Sequence, residues 1–303
     1  MSRAFREAAQ SDWVNTAPNP LVGALALQDG HVVGYGHHRF FGDVHAEEMA
    51  LEGVPEADEM FVTLEPCSSK GKEKKRKPCL EKILSSNVKR VVVGAVDPNP
   101  NHQGEGIERL RAEGVRVDVL AFDDFFIKQN KAFIDHLKRD VPFTFLKWAS
   151  TADGYIATHS GDSKWISNTE SRNEVHLMRS ISNGIVAGSG TVAQDMSRLN
   201  SRIDRDSLLT TKIILGNNHS IKENHPVYQD DLNILFSEDN ARDIEGVQVF
   251  WEELRSKCGL QRLWVEGGSK VFSLLIAAGL SHAIIKYEAP ILLGGGISSC
   301  GNL

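Results

Sequence analysis

The chain is predicted to fold as two α/β domains, and three observations lead there. Its 303 residues, 41% of them apolar, are more than one ordinary core requires. Through the first half, short β-rich runs alternate with stretches at helical spacing, the pattern of a sheet layered with helices. A polar, proline-marked break, Lys138-Arg139-Asp140-Val141-Pro142, is then followed by a new strand series opening with Phe143-Thr144-Phe145-Leu146-Lys147. The expected domains are therefore residues 1–141 and 142–303.

Thr16-Ala17-Pro18-Asn19-Pro20 reads as a turn, and residues 21–27 and 32–36 as strands joined by a hairpin at Gln28-Asp29-Gly30. Gly42-Asp43 offers an N-cap ahead of a helix over 46–51, where Ala46, Met49 and Ala50 share a face. Met60 to Leu64 forms a strand that delivers Glu65-Pro66-Cys67, and Pro78 suits the first position of a helix over 79–86. Residues 88–96 read as a further strand and Asp97-Pro98-Asn99-Pro100 as a turn. Near the C-terminus, Gly267-Gly268-Ser269 precedes an apolar helix over 271–278 and exposes amides suited to a phosphate group. No internal repeat is present.

The chemistry concentrates at His45-Ala46-Glu47, Pro66-Cys67 and, after eleven intervening residues, Cys79. One imidazole and two thiols form a soft tetrahedral set that leaves a fourth position for water, as catalytic Zn2+ requires. A carboxylate two residues after the His can move protons without ligating, the arrangement of zinc deaminases that act on nucleobases. The metal and the nearby helix N-termini are both expected to lower the thiol pKa values. The alternative is two free core cysteines and a surface His.

A net charge of -6 gives no general attraction for a phosphate backbone, so no nucleic-acid partner is expected. The N-terminus lacks an apolar signal core and no run approaches membrane-spanning length, so the expected location is cytoplasmic and no membrane contact is expected. Cys258 and Cys300 show no disulfide logic. Lys70-Gly71-Lys72-Glu73-Lys74-Lys75-Arg76-Lys77 fits both a solvated charged loop and, lying between two zinc ligands, an anion-binding loop; Lys72 is the residue favoured for the second role.

These motifs, together with Leu21-Val22-Gly23, Gly104-Glu105-Gly106-Ile107, Lys147, Asp153-Gly154, Gly161-Asp162-Ser163-Lys164-Trp165-Ile166, Gly188-Ser189-Gly190-Thr191 and Val265-Glu266-Gly267-Gly268-Ser269, occur in an order that resembles the bifunctional deaminase-reductase family of riboflavin biosynthesis. The resemblance implies a cytidine-deaminase-like three-layer N-terminal domain and a dihydrofolate-reductase-like α/β C-terminal domain. It implies hydrolytic deamination of a 2,5-diamino-6-ribosylamino-pyrimidinone 5'-phosphate, then reduction of the ribosyl to the ribityl side chain with NADPH. His45, Cys67 and Cys79 would hold zinc, with Glu47 as proton carrier; Asn19, Lys72, Asp97 and Asn99 would hold the base or phosphate. In the second domain Lys147 would act at the reacting sugar; Ser150, Trp165, Thr191, Asp195, Gly268 and Ser269 would meet the cofactor, and Ser163, Arg179, Leu199, Arg202 and Glu266 the sugar phosphate. Arg179 and Arg202 suit a fork onto phosphate. A homo-oligomer, dimer or tetramer, is implied as well. Two bland readings stand beside these: Asp97 to Pro100 makes a good turn whatever it binds, and Trp165 beside Ile166 fits a core position.

Three departures from the family pattern bear on this expectation. Ser69 stands where a His is usual and the loop after it is longer; Gly216-Asn217 stands where Asp and then Ser or Thr are usual; and the chain stops soon after Gly294-Gly295-Gly296, short at the C-terminus, which would leave a sheet edge and apolar surface exposed. The alternative function is a deaminase whose reductase-like domain serves as scaffold or oligomerisation surface. A nucleic-acid deaminase using the lysine loop is a third reading, against which the acidic charge counts.

Overall fold

The computed structural model describes residues 1–68, 78–100, 103–120, 122–163, 166–203 and 210–299. The chain divides between Arg139 and Asp140 into two compact units. The first contains α1 (Ser2–Ala8), α2 (Trp13–Thr16), β1 (Gly23–Gln28), β2 (His31–His37), α3 (Ala46–Ala50), β3 (Glu59–Leu64), α4 (Cys79–Leu84), β4 (Arg90–Ala95), α5 (Glu105–Ala112), β5 (Arg116–Val119), α6 (Asp123–Gln129) and α7 (Lys131–His136). Its strands form one sheet in the order β2-β1-β3-β4-β5, with β1 antiparallel to both neighbours and β3, β4 and β5 parallel.

The predicted hairpin closes through Asp29 at φ 50° and Gly30 at φ 76°. Two left-handed residues make the primed turn whose twist matches the paired strands. The core beneath the sheet joins Met60, Val62, Val91 and Val93 to Leu80 and Ile83 of α4 and Leu110 of α5. Each such aliphatic side chain, fully buried, contributes about 1.5–3 kcal/mol.

Alternate glycines on β2 decide where α3 sits. A Cβ on Gly34 would lie 2.1 Å from Ala50 O, and one on Gly36 would lie 2.4 Å from Ala46 O. The helix that follows His45 therefore rests directly on strand backbone. The expected cap at Asp43 is not formed: its carboxylate accepts Arg39 Nε at 2.6 Å, and His45, with φ -79° and ψ 162°, occupies the cap position. A charged guanidinium four residues away is a stronger donor than a helix amide. Pro78 likewise sits one place before α4, at ψ 150°, leaving Cys79 as the first helical residue.

The second unit contains β6 (Phe143–Thr151), β7 (Tyr155–Ala157), α8 (Thr169–Ser180), β8 (Gly184–Gly188), α9 (Ser189–Asp195), β9 (Thr211–Leu215), β10 (Ile234–Phe236), α10 (Ile244–Ser256), β11 (Arg262–Val265), α11 (Ser269–Ala277), β12 (Ala283–Ala289) and β13 (Ile297–Ser298). Six strands pair in parallel in the order β10-β9-β8-β11-β6-β12, and β13 pairs with β7. β8 and β11 are buried throughout, as strands covered on both faces must be. Trp251 of α10 donates its indole N–H to Thr144 Oγ1 at 2.9 Å, and the buried Arg262 guanidinium lies 4.3 Å over the Phe145 ring.

In an open parallel sheet, ligands bind in the crevice beyond the carboxyl ends of the strands. Those ends carry Ser189 after β8, Gly216 after β9 and Glu266 after β11. At the side of the sheet, β12 presents a half-exposed Ile284, and Leu292 beyond it is 76% exposed. Among the described residues, no helix is long and apolar enough to cross a membrane.

Candidate active sites

His45 Nδ1 lies 3.1 Å from Cys79 Sγ and 3.6 Å from Cys67 Sγ, and the three potential ligand atoms all fall within 4.8 Å of one another. Ligands at tetrahedral zinc distances are separated by about 3.5–3.8 Å, so the donor set and its spacing fit that ion. The Cys79 amide donates to Cys67 Sγ at 3.3 Å, a bond that favours a thiolate. Cys67 comes from the segment after β3, and Cys79 and His45 lie at the starts of α4 and α3.

Glu47, in the first turn of α3, is 3% exposed. Burial pushes its carboxyl up, His45 opposes this, and Cys67 adds to it. Cys79 is driven well up by its hydrogen bond to Cys67 and then by burial. Binding of a cation through this sulfur requires the thiolate, so the ion would have to draw the proton off.

Two residues absent from the predicted set organise this first site. Buried His38 packs edge-on against His45 with ring centroids 5.4 Å apart. Its Nδ1 lies 3.0 Å from Val44 O and so carries the proton; its Nε2 accepts from Asn19 Nδ2 at 3.1 Å. That bond engages one N–H of the Asn19 side chain. A second His seven residues before His45 was the available signal.

Buried Glu65 is the other. Its Oε2 accepts the amides of Asp97 at 3.1 Å and Gly104 at 2.9 Å, and its Oε1 those of Gly106 at 2.8 Å and Ile107 at 3.4 Å. It thereby caps α5 and fastens the turn carrying Asp97 and Asn99, where Asp97 Oδ1 accepts the Asn99 amide at 2.9 Å. Ser69 and Lys72, with the rest of the lysine tract, lie outside the described residues.

In the second unit Lys147 and Ser150 lie on β6, Thr191 and Asp195 on α9, and Gly268 and Ser269 at the start of α11. Thr191 Oγ1 would stand 3.6 Å from a Cβ on Gly268, so α9 and α11 begin side by side. Ser150 Oγ is buried and has no hydrogen-bond partner among the described residues. An orphaned hydroxyl on β6 and a glycine-lined helix start are each suited to polar groups of a dinucleotide, an amide and phosphates. Gly216, at φ 111°, has its amide on Ser237 Oγ at 3.0 Å, and a Cβ there would come within 2.6 Å of Ser189 Oγ. The left-handed backbone at 216 is what favours glycine there. A cavity of about 310 Å³ opens there, lined by Ser189, Gly216, Asn217, Arg242 and Lys270 among others.

Arg179 and Glu266, both expected on the sugar phosphate, are held against each other. Arg179 Nε and Nη2 donate to the two Glu266 oxygens at 2.6 and 2.8 Å, and Nη1 donates to Asn200 O at 2.9 Å. Trp264 Nε1 adds a bond to Glu266 Oε1 at 2.8 Å. Burial pushes the Glu266 carboxyl up, but Arg179, helped by Lys147 and Trp264, holds it at about 2. Three of the five guanidinium N–H donors are thus committed, and the remaining two are what Arg179 can offer a ligand. Leu199 is 2% exposed and packs with Ile185, Val192 and Ile214, so its contact with any ligand is through main chain. Arg202 is exposed, and Ser163 precedes Lys164 and Trp165, which lie outside the described residues.

Residues 142–303 match the RibD C-terminal domain, and residues 1–95 match the cytidine and deoxycytidylate deaminase zinc-binding region. The riboflavin biosynthesis protein RibD of Aquifex aeolicus is 33% identical, the alignment covering 93% of this chain and 84% of that protein. RibD of Escherichia coli is 31% identical, with 97% and 88% covered. Among solved structures, RibD of Acinetobacter baumannii superposes with a TM-score of 0.75 at 28% identity, covering 100% of this chain and 89% of that one. A diaminohydroxyphosphoribosylaminopyrimidine deaminase/5-amino-6-(5-phosphoribosylamino)uracil reductase from Thermotoga maritima gives 0.71 at 32% identity, covering 99% and 88%. On these matches, spanning both units, the chain belongs to the RibD family of riboflavin biosynthesis proteins.

Proposed function

We propose that this chain performs two successive steps of riboflavin biosynthesis, deaminating a 2,5-diamino-6-ribosylamino-pyrimidinone 5'-phosphate in its first unit and reducing the ribosyl to a ribityl side chain with NADPH in its second. The supporting observation is the convergence of His45, Cys67, Cys79 and buried Glu47 in the same chain as a parallel-sheet reductase domain of that family. A scaffold role for the second unit is less favoured, because the orphaned Ser150 hydroxyl and the Arg179–Glu266 pair keep a polar site there.

In the first reaction His45, Cys67 and Cys79 hold zinc, which when bound makes water nucleophilic near neutral pH. Glu47, too enclosed to exchange protons freely with solvent, would hold a proton on its carboxylate and deliver it to the departing amino group. Asn19, its nitrogen engaged by His38, orients the pyrimidine through its oxygen, while Asp97 and Asn99 border the ring and Lys72 meets the phosphate. In the second reaction NADPH, when bound, supplies the hydride. Ser150, Trp165, Thr191, Asp195, Gly268 and Ser269 hold the cofactor, and Ser163, Arg179, Leu199, Arg202 and Glu266 the sugar phosphate. Lys147 gives its proton to the developing alkoxide. A cytoplasmic location and assembly as a dimer or tetramer complete the reading.

The test is a Glu47→Gln variant assayed for bound zinc and for ammonia release. Retained zinc with turnover reduced by about 10²–10⁴-fold supports the role, and ammonia release at the wild-type rate overturns it. Titration calorimetry with NADPH tests the second half, which an absence of heat would overturn.

A further inference from the structure

Residues 196–203 run from the end of α9 past Leu199 to Arg202 with a backbone that relaxes unless held. Met196 at φ 52° and Leu199 at φ 48° are both left-handed without being glycine. The segment is pinned at successive residues. Leu199 is sunk in the core; Asn200 O accepts Arg179 Nη1 at 2.9 Å; and Ser201 Oγ donates to His176 O at 2.9 Å while accepting the Ile203 amide at 3.0 Å. The side chain of Asn200 reaches the other way, donating Nδ2 to Asp230 Oδ2 at 3.0 Å.

Asp230 is itself anchored from inside the sheet. Its Oδ1 pairs with Lys212 Nζ at 2.7 Å and accepts the Leu232 amide at 3.2 Å. Lys212 lies on β9, is fully buried, and gives a second N–H to Val227 O at 2.5 Å. A buried ammonium persists only where it is paired and hydrogen-bonded, so this carboxylate cannot wander from Lys212. Asp230 thus offers Asn200 a fixed acceptor whose position is set by Lys212 of β9.

We propose that Lys212, Asp230 and Asn200 form a brace that fixes the left-handed segment and so positions Arg202 for the phosphate of the reductase substrate, which makes Asn200 and Asp230 positioning residues. The inference rests on the reading above that Arg202 meets the sugar phosphate. It is not visible in sequence, because Asn200 and Asp230 are thirty residues apart and Asp230 lies in an ordinary polar stretch.

A double-mutant cycle in the full-length enzyme tests it, following NADPH oxidation with the deaminated ribosylamino-pyrimidine phosphate. Asn200→Ala is expected to raise KM for that substrate by about 5–20-fold with kcat within about twofold, and to leave KM for NADPH and ammonia release unchanged. Asn200→Asp, which sets a carboxylate against Asp230, is expected to raise KM further. In an Arg202→Ala background, Asn200→Ala is expected to add clearly less than it does in wild type, because the part of its effect that runs through Arg202 is lost with that side chain. Multiplying fold-changes in the double variant, or an Asn200→Ala loss confined to kcat, overturns the brace. A wild-type KM for Arg202→Ala overturns the assignment of Arg202 itself, and the brace with it.

Discussion

Glu65 Oε1 and the Gly106 amide lie 2.8 Å apart, and a Cβ on Gly106 would come within 2.2 Å of Pro66 O. The start of α5 is thus pressed onto the two residues that precede Cys67, the proposed zinc ligand. Glu65→Gln puts an N–H among amide donors and removes the charge that binds them, with an expected loss of about 3 kcal/mol in unfolding free energy. Urea unfolding of the variant checks the stability, and its zinc content checks the coupling to Cys67; both are expected to fall.

Removal of zinc is expected to lower the stability of residues 1–139 only. The buried Cys79 thiol, driven up in the absence of a cation, must ionise for the ion to bind, so chelation returns protons to the site. Calorimetry of the chelated protein is expected to show the first unit's transition shifted down by several degrees, since a ligand at 100-fold its dissociation constant contributes about 2.7 kcal/mol. Ammonia release is expected to stop, while NADPH oxidation with pre-deaminated substrate continues.

The cluster of His45, Cys67 and Cys79 with Glu47 was legible because its signals are local: His45 and Glu47 share one helical turn, and each cysteine follows a proline. Glu65 was not, because its partners are backbone amides 32 to 42 residues away, and an amide leaves no mark on residue type. Arg179 and Glu266 were each singled out, but not as partners, since 87 residues separate them and only the parallel order of β8, β11 and β6 brings them together. The α/β class was legible from the alternation of strand and helix patterns, whereas strand order within each sheet was not, because parallel neighbours need no adjacency in sequence.

The Arg179–Glu266 pair fixes an acid limit for the second unit. Glu266 titrates at about 2 when folded, against an ordinary value of 4.5, so its stabilisation is complete above pH 4.5 and is lost as the pH falls toward 2. The difference corresponds to at most about 3 kcal/mol. Urea midpoints measured between pH 5 and 2 are expected to fall more steeply for wild type than for Glu266→Gln, which has no such proton to take up.

Gly36→Ala is expected to be far more damaging than an exposed glycine substitution usually is. Its Cβ would meet Ala46 O at 2.4 Å and Ala50 N at 2.7 Å, atoms of the helix backbone that cannot swing aside. Overpacking of this kind costs about 1–3 kcal/mol, and relief by displacing α3 would carry His45 and Glu47 away from the cysteines. Thermal unfolding and zinc stoichiometry check the two effects separately.

Strands at the rim of a sheet are ordinarily where a lineage accumulates change, and β2 inverts that habit at every second position. Val33 and Tyr35 point outward, 44% and 59% exposed, and are free to drift, while Gly34 and Gly36 between them are as constrained as any residue in the interior. A library randomised over 33–36 should therefore recover active clones of widely varied character at the odd positions and almost none at the even ones, a two-residue rhythm of tolerance imposed by a helix that touches bare peptide.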